Sequence, residues 1–423
     1  MNYDQTVSYL FHVTPAFEKI GAGAYKEGLS NTLALDAHFG HPHRFFKTIH
    51  VAGTNGKGSC SHTLAAILQS AGYKVGLYTS PHLVDFRERI RVNGKCISKK
   101  RVVDFVKNER SFFEPLQPSF FELTTAMAFV YFAEQKVDIA VIEVGLGGRL
   151  DCTNIITPLL SVITNISFDH TQFLGSTLDK IASEKAGIIK PQVPVVIGET
   201  TPETAPVFEE KARQLQAPLF KAETFRMDQF LDPALSSLQF DDLSFELKGD
   251  YQQKNKRTIL CAIHVMQTST GLVIPASAIQ NGMRQVIELT GLAGRWQTLR
   301  TSPLVICDTG HNTGGWQYLA PQISAQPCRQ LRMVFGMVDD KDIRTVMQLL
   351  PKDAVYYWTQ ASSHRAIPSQ QVQAIGQTYS LRGNTFPTVA EAYQQALSDA
   401  SHDDFIFVGG SSYVVADLLT SLQ

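Results

Sequence analysis

The stretch Val51-Ala52-Gly53-Thr54-Asn55-Gly56-Lys57-Gly58-Ser59 brings together glycines, one lysine and a hydroxyl. This is the set a phosphate-binding loop needs. Glycines let the backbone approach an anion, loop and helix-start N–H groups point at it, the lysine adds a point charge, and the hydroxyl reaches Mg²⁺. The spelling departs from the strict nucleotide-loop pattern. The first expected glycine falls at Val51, and Gly58 separates Lys57 from Ser59. On spelling alone, the alternative is a glycine turn with a chance lysine. The flanks favour the phosphate loop: Phe46 to Val51 reads as a strand, and Cys60 to Ser70 reads as an amphipathic helix with Leu64, Ala65, Ile67 and Leu68 at helical spacing.

Further polar residues follow apolar runs. Glu143 closes the run from Val137, the usual place for a carboxylate that serves Mg²⁺. Ser80 follows the strand at Lys74 to Thr79, and His170 follows the run Leu159 to Ile166. Each has a plainer alternative: Glu143 as a cap on the next turn, His170 as a satisfied turn residue. Lys185 stands beside Glu184 on a helical stretch, where a solvated face is the plainer reading. Later in the chain, Asp308 and His311 open a second α/β series at a strand end, and Arg295 precedes them in a linker. Facing a cleft between stacked domains, they would reach a ribose, a base or an amine, with Arg295 reaching phosphates on closure.

These side chains need a scaffold to hold them. Strands at Lys74–Thr79, Val137–Val144, Leu159–Ile166 and Pro194–Gly198 alternate with helices at Ser98–Phe113, Phe120–Glu134 and Leu178–Ala186. That alternation predicts a parallel sheet with right-handed crossovers, and ligands gather at the carboxyl ends of its strands. Short helices are expected near Leu10, before Pro15, and over Leu29–Phe39. Asn93-Gly94 marks a turn after a polar stretch. Residues 200 to 250 alternate in short pieces (Ser237–Phe240, Leu243–Leu247) and predict a small antiparallel appendage. Helices return at Tyr251–Gln267 and Ile279–Gln285, followed by Leu289–Arg295. Strands at Leu304–Cys307, Gln330–Phe335, Ala354–Thr359 and Phe405–Val408 form a second, smaller unit. The fold class is α/β: a P-loop ATPase domain over 1–294 with a mainly parallel sheet, and a Rossmann-like C-terminal domain over 295–423.

Composition narrows the function classes. The chain has 423 residues, 44% hydrophobic and 18% charged, enough for two or three domains with a sizeable core. A net charge of −1 gives no electrostatic footprint for nucleic acid or an anionic membrane. No apolar run approaches the roughly 18 residues of a spanning helix. The start, Asn2-Tyr3-Asp4-Gln5, lacks the basic and apolar regions of a signal peptide. Six cysteines without a CxxC pair fit reduced thiols in a cytoplasm, and the chain is expected to act as a monomer.

Several long motifs in order identify the chain as similar to the folylpolyglutamate synthase/dihydrofolate synthase family of Mur-type amide ligases. They are Gly53 to Ser59; Thr79-Ser80-Pro81-His82-Leu83 with Arg87-Glu88-Arg89-Ile90; Phe120-Phe121-Glu122; Glu143 to Asp151; and Asn165 to His170 through Glu184-Lys185-Ala186-Gly187. The resemblance covers nearly the whole chain. It implies a reaction in which ATP phosphorylates a carboxylate and the amine of L-glutamate attacks the acyl phosphate. The carboxylate would belong to dihydropteroate or a folate glutamate tail.

Carried over by motif, Thr54, Asn55, Gly56, Lys57, Gly58 and Ser59 would hold the triphosphate. Ser80 and Glu143 would ligate one Mg²⁺ and His170 a second. Lys185 matches a carbamylated lysine that would serve the second metal. Asn255, Arg295 and Asp308 would contact the nucleotide, and His311 would lie near ATP or glutamate. Ser119, Phe120, Phe121 and Glu122, with Leu150, Asp151 and Cys152, would contact the pterin substrate. A monovalent cation is a further expected ligand. The chain departs from the family at Thr309, Gly310 and Thr313, where Gly, Ala and Pro are usual, at Ala293 for Pro, and at Lys256 for Ala. Two rivals stand beside this reading. A ligase acting on a UDP-sugar peptide would need a substantial domain ahead of Gly53. A nucleotide-dependent switch without ligase chemistry would have no need of Lys57, Glu143, His170, Lys185 and Asp308 together.

Overall fold

A computed structural model describes residues 1–13, 28–339 and 341–423. The helix near Leu10 spans Tyr3–Val13, and Pro15, expected beyond it, lies outside the described residues. The chain divides into two compact units. One comprises Met1–Glu246 with Gln252–Leu292, the other Leu247–Tyr251 with Ala293–Gln423.

The first unit is built on an eight-stranded sheet of β1 (Lys47–Ala52), β2 (Val75–Tyr78), β3 (Ile90–Val92), β4 (Lys95–Cys96), β5 (Ile139–Glu143), β6 (Leu160–Ile163), β7 (Val195–Ile197) and β8 (Leu219–Lys221). The order is β4-β3-β2-β5-β1-β6-β7-β8. All neighbours are parallel except the β2–β3 and β3–β4 pairs. The inner parallel strands are buried along nearly all their length, Lys47 aside, which is why they read as apolar runs, whereas the edge strand β8 is only partly buried. From β1 the chain passes β5 to reach β2, and from β5 it returns across β1 to β6. The loop after β1 therefore sits at the point where the connections reverse, where such sheets bind ligands.

Four features differ from the sequence expectations. The antiparallel appendage over 200–250 is absent among the described residues: Ala205–Gln214 is a helix, and β8 pairs parallel with β7. Residues 237–247 form turns, not strands. Leu243, Phe245 and Leu247 are buried alternately, but Lys256 holds this segment by donating to the carbonyls of Phe240 and Leu243. One-sided burial thus produced a strand-like pattern without a pairing partner. The helix at the phosphate loop, Lys57–Ser70, is not amphipathic in its surroundings, since Ser59 to Leu68 are all buried. The helix Ala276–Arg284 covers its outer side, and a Cβ on Gly282 would lie 2.4 Å from the Ile67 Cα. The polar stretch after Arg87 contains the β3–β4 hairpin, turning at Asn93 and Gly94, both at positive φ. Finally, Val286–Thr290 is a short helix, and no regular element covers residues 291–296.

The second unit has a six-stranded sheet of β9 (Gln297–Thr301), β10 (Leu304–Asp308), β11 (Leu331–Phe335), β12 (Val355–Trp358), β13 (Arg382–Thr385) and β14 (Phe405–Gly409). Its order is β13-β12-β11-β14-β10-β9, parallel except at the β9 edge. Trp316, Phe335, Tyr356, Trp358 and Phe407 lie in its core. The edge strands β9 and β13 are largely polar and partly exposed, so periodicity did not mark them. Among the described residues, no helix is long and apolar enough to cross a membrane.

Candidate active site

The phosphate loop is shaped by its glycines and clamped by the segment after β6. Gly53 has φ 145°, and a Cβ there would meet Thr164 Oγ1 at 1.8 Å. Gly56 has φ 84°, and a Cβ there would meet Asn255 Oδ1 at 2.3 Å. Neither position admits another residue without displacing these neighbours. Thr164 Oγ1 donates to Asn55 O at 2.6 Å, Asn55 N donates to Asn165 Oδ1 at 2.9 Å, and Ser167 N donates to Thr54 Oγ1 at 3.0 Å. Behind the loop, Gln252 Nε2 donates to Ser59 Oγ at 3.0 Å, and Asn255 Nδ2 donates to Gln252 Oε1 at 2.8 Å. The helix Lys57–Ser70 starts directly at the loop, with Gly56 at its N-cap and no side-chain cap, so the loop leads into a helix N-terminus, the end that favours an anion. Lys57 Nζ lies 3.0 Å from both Gly53 O and Thr54 O.

A second lysine ends on the same loop. Lys185 is 5% exposed and its Nζ donates to Gly53 O at 3.0 Å; the solvated-face reading does not hold. Burial, and then the nearby Lys57 cation, lower its pKa to about 7, against the attraction of Asp169 and Asp151. Glu143 is buried at the carboxyl end of β5, in register with Val51, two residues before Gly53. Tyr78 is in register with Ile142, so Ser80 leaves the sheet at the edge where Glu143 ends β5. His170 caps the short helix Thr171–Leu174 at φ 49°, three residues after Ser167, with Nε2 3.8 Å from Asp169 Oδ1. Among the described residues, no three of His, Cys, Asp and Glu gather in a metal-binding group. Glu143 and His170 would therefore hold a metal only with other donors, such as Ser80, water and phosphate oxygens. A buried carboxylate at the phosphate loop suits a hard divalent cation.

The residues expected at the acid substrate divide by their bonding. Ser119 and Glu122 form a capping box: Ser119 N donates to Glu122 Oε2 at 2.6 Å, and Glu122 N to Ser119 Oγ at 3.2 Å. They start the helix Phe120–Glu134. Phe120 stacks on Phe11 at 4.4 Å, and Phe121 packs over Gly145, where a Cβ would come within 2.5 Å of its ring. Asp151 organises the following loop, accepting from Gly145 N at 3.0 Å, Leu146 N at 2.8 Å and Thr153 N at 3.0 Å. Burial raises its pKa despite these bonds, and burial raises the Cys152 thiol as well. Leu150 is partly exposed beside them.

In the second unit, Asp308 is 3% exposed at the end of β10. Its Oδ2 accepts from Tyr251 Oη at 2.6 Å and Trp296 N at 2.7 Å, and its Oδ1 from Gly310 N at 2.8 Å. Burial raises its pKa, opposed chiefly by Arg295. His311 Nδ1 is 3.0 Å from Thr309 O, and Asn312 caps the helix Thr313–Ser324. A Cβ on Gly310 would meet Leu319 Cδ1, the end of a movable side chain, at 2.2 Å. Hydrogen bonds and close packing thus join Thr54, Asn55, Gly56, Lys57, Ser59, Lys185 and Asn255, and register sets Ser80 and Glu143 at the same edge. Asp308, Arg295 and His311 belong to the other unit. The sequence reading missed the support given by Gln252, Thr164, Asn165 and Tyr251. The available signal for Gln252 was its position three residues before Asn255, on one helix face.

Two protein families match this arrangement: the Mur ligase middle domain over residues 51–224, and the Mur ligase glutamate ligase domain over residues 294–412. The protein is thus an ATP-dependent amide ligase of the Mur class. It is 32% identical to the folylpolyglutamate synthase of Lacticaseibacillus casei, an alignment covering 100% of this chain and 99% of that one. Against the dihydrofolate synthase/folylpolyglutamate synthase of Escherichia coli, identity is 36% over 87% of this chain and 85% of that one. The structure of E. coli FolC with DHPP and ADP is similar with a TM-score of 0.85 at 30% identity, covering 100% of this chain and 98% of that one. The chain belongs to the folylpolyglutamate synthase/dihydrofolate synthase family.

Proposed function

We propose that the protein joins L-glutamate to the carboxylate of dihydropteroate, of a folate glutamate tail, or of both. The observation that carries this reading is Lys185: a second lysine, buried, with its amine on the Gly53 carbonyl of the phosphate loop. A simple nucleotide switch has no use for it. The relatives supply the substrate class. A solved relative holds Mn, AMPPNP and L-glutamate, and another holds DHPP and ADP.

In this mechanism the substrate carboxylate attacks the γ-phosphorus of ATP, and the bond to the β-phosphate oxygen breaks to release ADP. The glutamate nitrogen attacks the acyl carbon, the tetrahedral intermediate loses inorganic phosphate, and the amine gives up a proton. The loop N–H groups from Thr54 to Ser59 and the Lys57 ammonium hold the phosphates and their developing charge. Ser80 and Glu143 would hold one Mg²⁺, and His170, with Lys185 once carbamylated, a second. When bound, Mg²⁺ would neutralise charge on the triphosphate. The carbamate requires a neutral amine, and the low pKa of Lys185 favours one. Asn255, Arg295 and Asp308 would contact the nucleotide, and His311 the glutamate. The reading extends to a cytoplasmic protein, in keeping with six free cysteines, acting as a monomer, and includes a monovalent cation.

The test is glutamate-dependent ADP release, with dihydropteroate and a reduced folate monoglutamate supplied separately. Turnover with either acid supports the reading and tells which substrate is used. Silence with both, in protein that binds ATP, rejects it.

A further inference from the structure

The loop that follows Glu143 is fastened to the helix that carries Lys185, and the mechanism above does not use that fastening. Arg149 N donates to Glu184 O at 2.8 Å. Its side chain reaches the same residue, with Nε and Nη2 at 3.0 and 2.9 Å from Glu184 Oε1. Asn154 Nδ2 bridges the carbonyls of Arg149 and Gly187, at 3.0 Å each. Two glycines permit the approach. A Cβ on Gly187 would lie 2.4 Å from Arg149 Cα, and one on Gly148 would lie 2.8 Å from Glu184 O and 3.0 Å from Lys185 O.

We propose that Arg149 and Glu184 are positioning residues that set the backbone of Lys185 against the acid-substrate loop, coupling occupancy of that loop to the Lys185 amine. The inference rests on the functional reading for the identity of the acid. One peptide unit separates Glu184 from Lys185, whose Nζ ends on Gly53 O. A shift of the 184–187 backbone therefore moves the amine against the phosphate loop. On the other side, Arg149 is joined through Leu150 to Asp151, which holds Gly145 and Leu146 by their N–H groups. The ion pair is partly exposed, with the Arg149 side chain 56% accessible. Such pairs contribute little to stability. Its role is geometric, since misplacement by about 1 Å far from the chemistry can cost on the order of 100-fold in rate.

The experiment compares Arg149→Ala, Glu184→Ala, the double variant and Arg149→Lys in the full chain. It reads kcat, KM for ATP, KM for the acid, and amide hydrogen exchange. Each alanine variant is expected to lower kcat/KM for the acid about tenfold with KM for ATP moved less than about twofold, the double variant falling no further than the worse single. Arg149→Lys should recover part of the loss. Exchange should quicken in 145–155 and in 184–187 together, while the melting temperature stays near that of the parent. Additive losses, a parallel rise in KM for ATP, or unchanged exchange at 184–187 on loss of Arg149 would overturn the proposal. A parent protein inactive on both acids would reject the functional reading instead, and the exchange data would still decide whether the coupling exists.

Discussion

At the scale of single residues, two lysine amines share one carbonyl. Lys57 and Lys185 both reach Gly53 O at 3.0 Å. Burial and this neighbour together hold Lys185 far below an ordinary lysine. Lys185→Arg keeps a cation but cannot form a carbamate, and turnover is expected to fall at least about 100-fold, as for loss of a group acting on the transition state. Full activity in that variant would remove the modified lysine from the mechanism. Glu143→Ala should likewise abolish ADP release while leaving the circular dichroism spectrum intact; near-normal turnover would sink its metal role. Gly56→Ala faces both a positive φ and the Asn255 Oδ1, 2.3 Å from the new Cβ. A left-handed non-glycine residue costs about 1–2 kcal/mol, so ATP KM should rise about tenfold, and an unchanged KM would show that the loop relaxes freely. The motif-bearing residues were legible because their chemistry is local: glycine, lysine and hydroxyl lie within one loop. The Gln252–Ser59 and Thr164–Asn55 bonds were not, because those partners lie far apart in sequence.

At the scale of elements, the long buried strands and the helices at Phe120–Glu134 and Leu178–Ala186 were readable from their apolar patterning. The segment 237–247 was not. Its alternation reports burial on one side of an irregular chain, and alternation alone does not say whether a paired strand or a wall of helix supplies that side. Lys256 explains the difference. It is 3% exposed, and its ammonium donates to the Phe240 and Leu243 carbonyls. The alanine usual at this position would leave both carbonyls without that donor. Lys256→Ala should therefore cost about 1–3 kcal/mol, the penalty for buried groups losing a partner. Hydrogen exchange should quicken over 237–247 and not in β1. If urea midpoints for parent and variant coincide, the segment is held by its apolar residues instead. The neighbouring Asn255 contacts the phosphate loop from the same helix, so the variant also asks whether this anchoring reaches ATP affinity.

For the molecule as a whole, acid sensitivity follows from a histidine that cannot reach water. His50 lies in β1, 0% exposed, with Nε2 2.8 Å from Thr153 Oγ1. Burial, with Lys190 nearby, lowers its pKa from 6.5 to about 3. Between those values the unfolded chain takes up a proton that the folded chain refuses. Unfolding then binds more protons than folding, so stability rises with pH across this window and is lost as pH falls from 6.5 toward 3. At about 1.4 kcal/mol per unit of pKa difference, this one group withdraws on the order of 4 kcal/mol by the acid end. Asp85 acts in the same direction lower down, because its bonds to Arg87 and Tyr3 bring its pKa to about 2. Asp151 and Asp308 act the opposite way: burial raises their pKa values, so the folded chain gains protons earlier than the unfolded one. The His50 contribution must therefore be read as a difference. His50→Gln removes the titrating group, and its thermal midpoint should fall less steeply than the parent's between pH 6.5 and pH 4, whatever the offset between them. Parallel slopes would mean that the folded protein admits a proton at His50, and that β1 opens at its centre more readily than its burial implies.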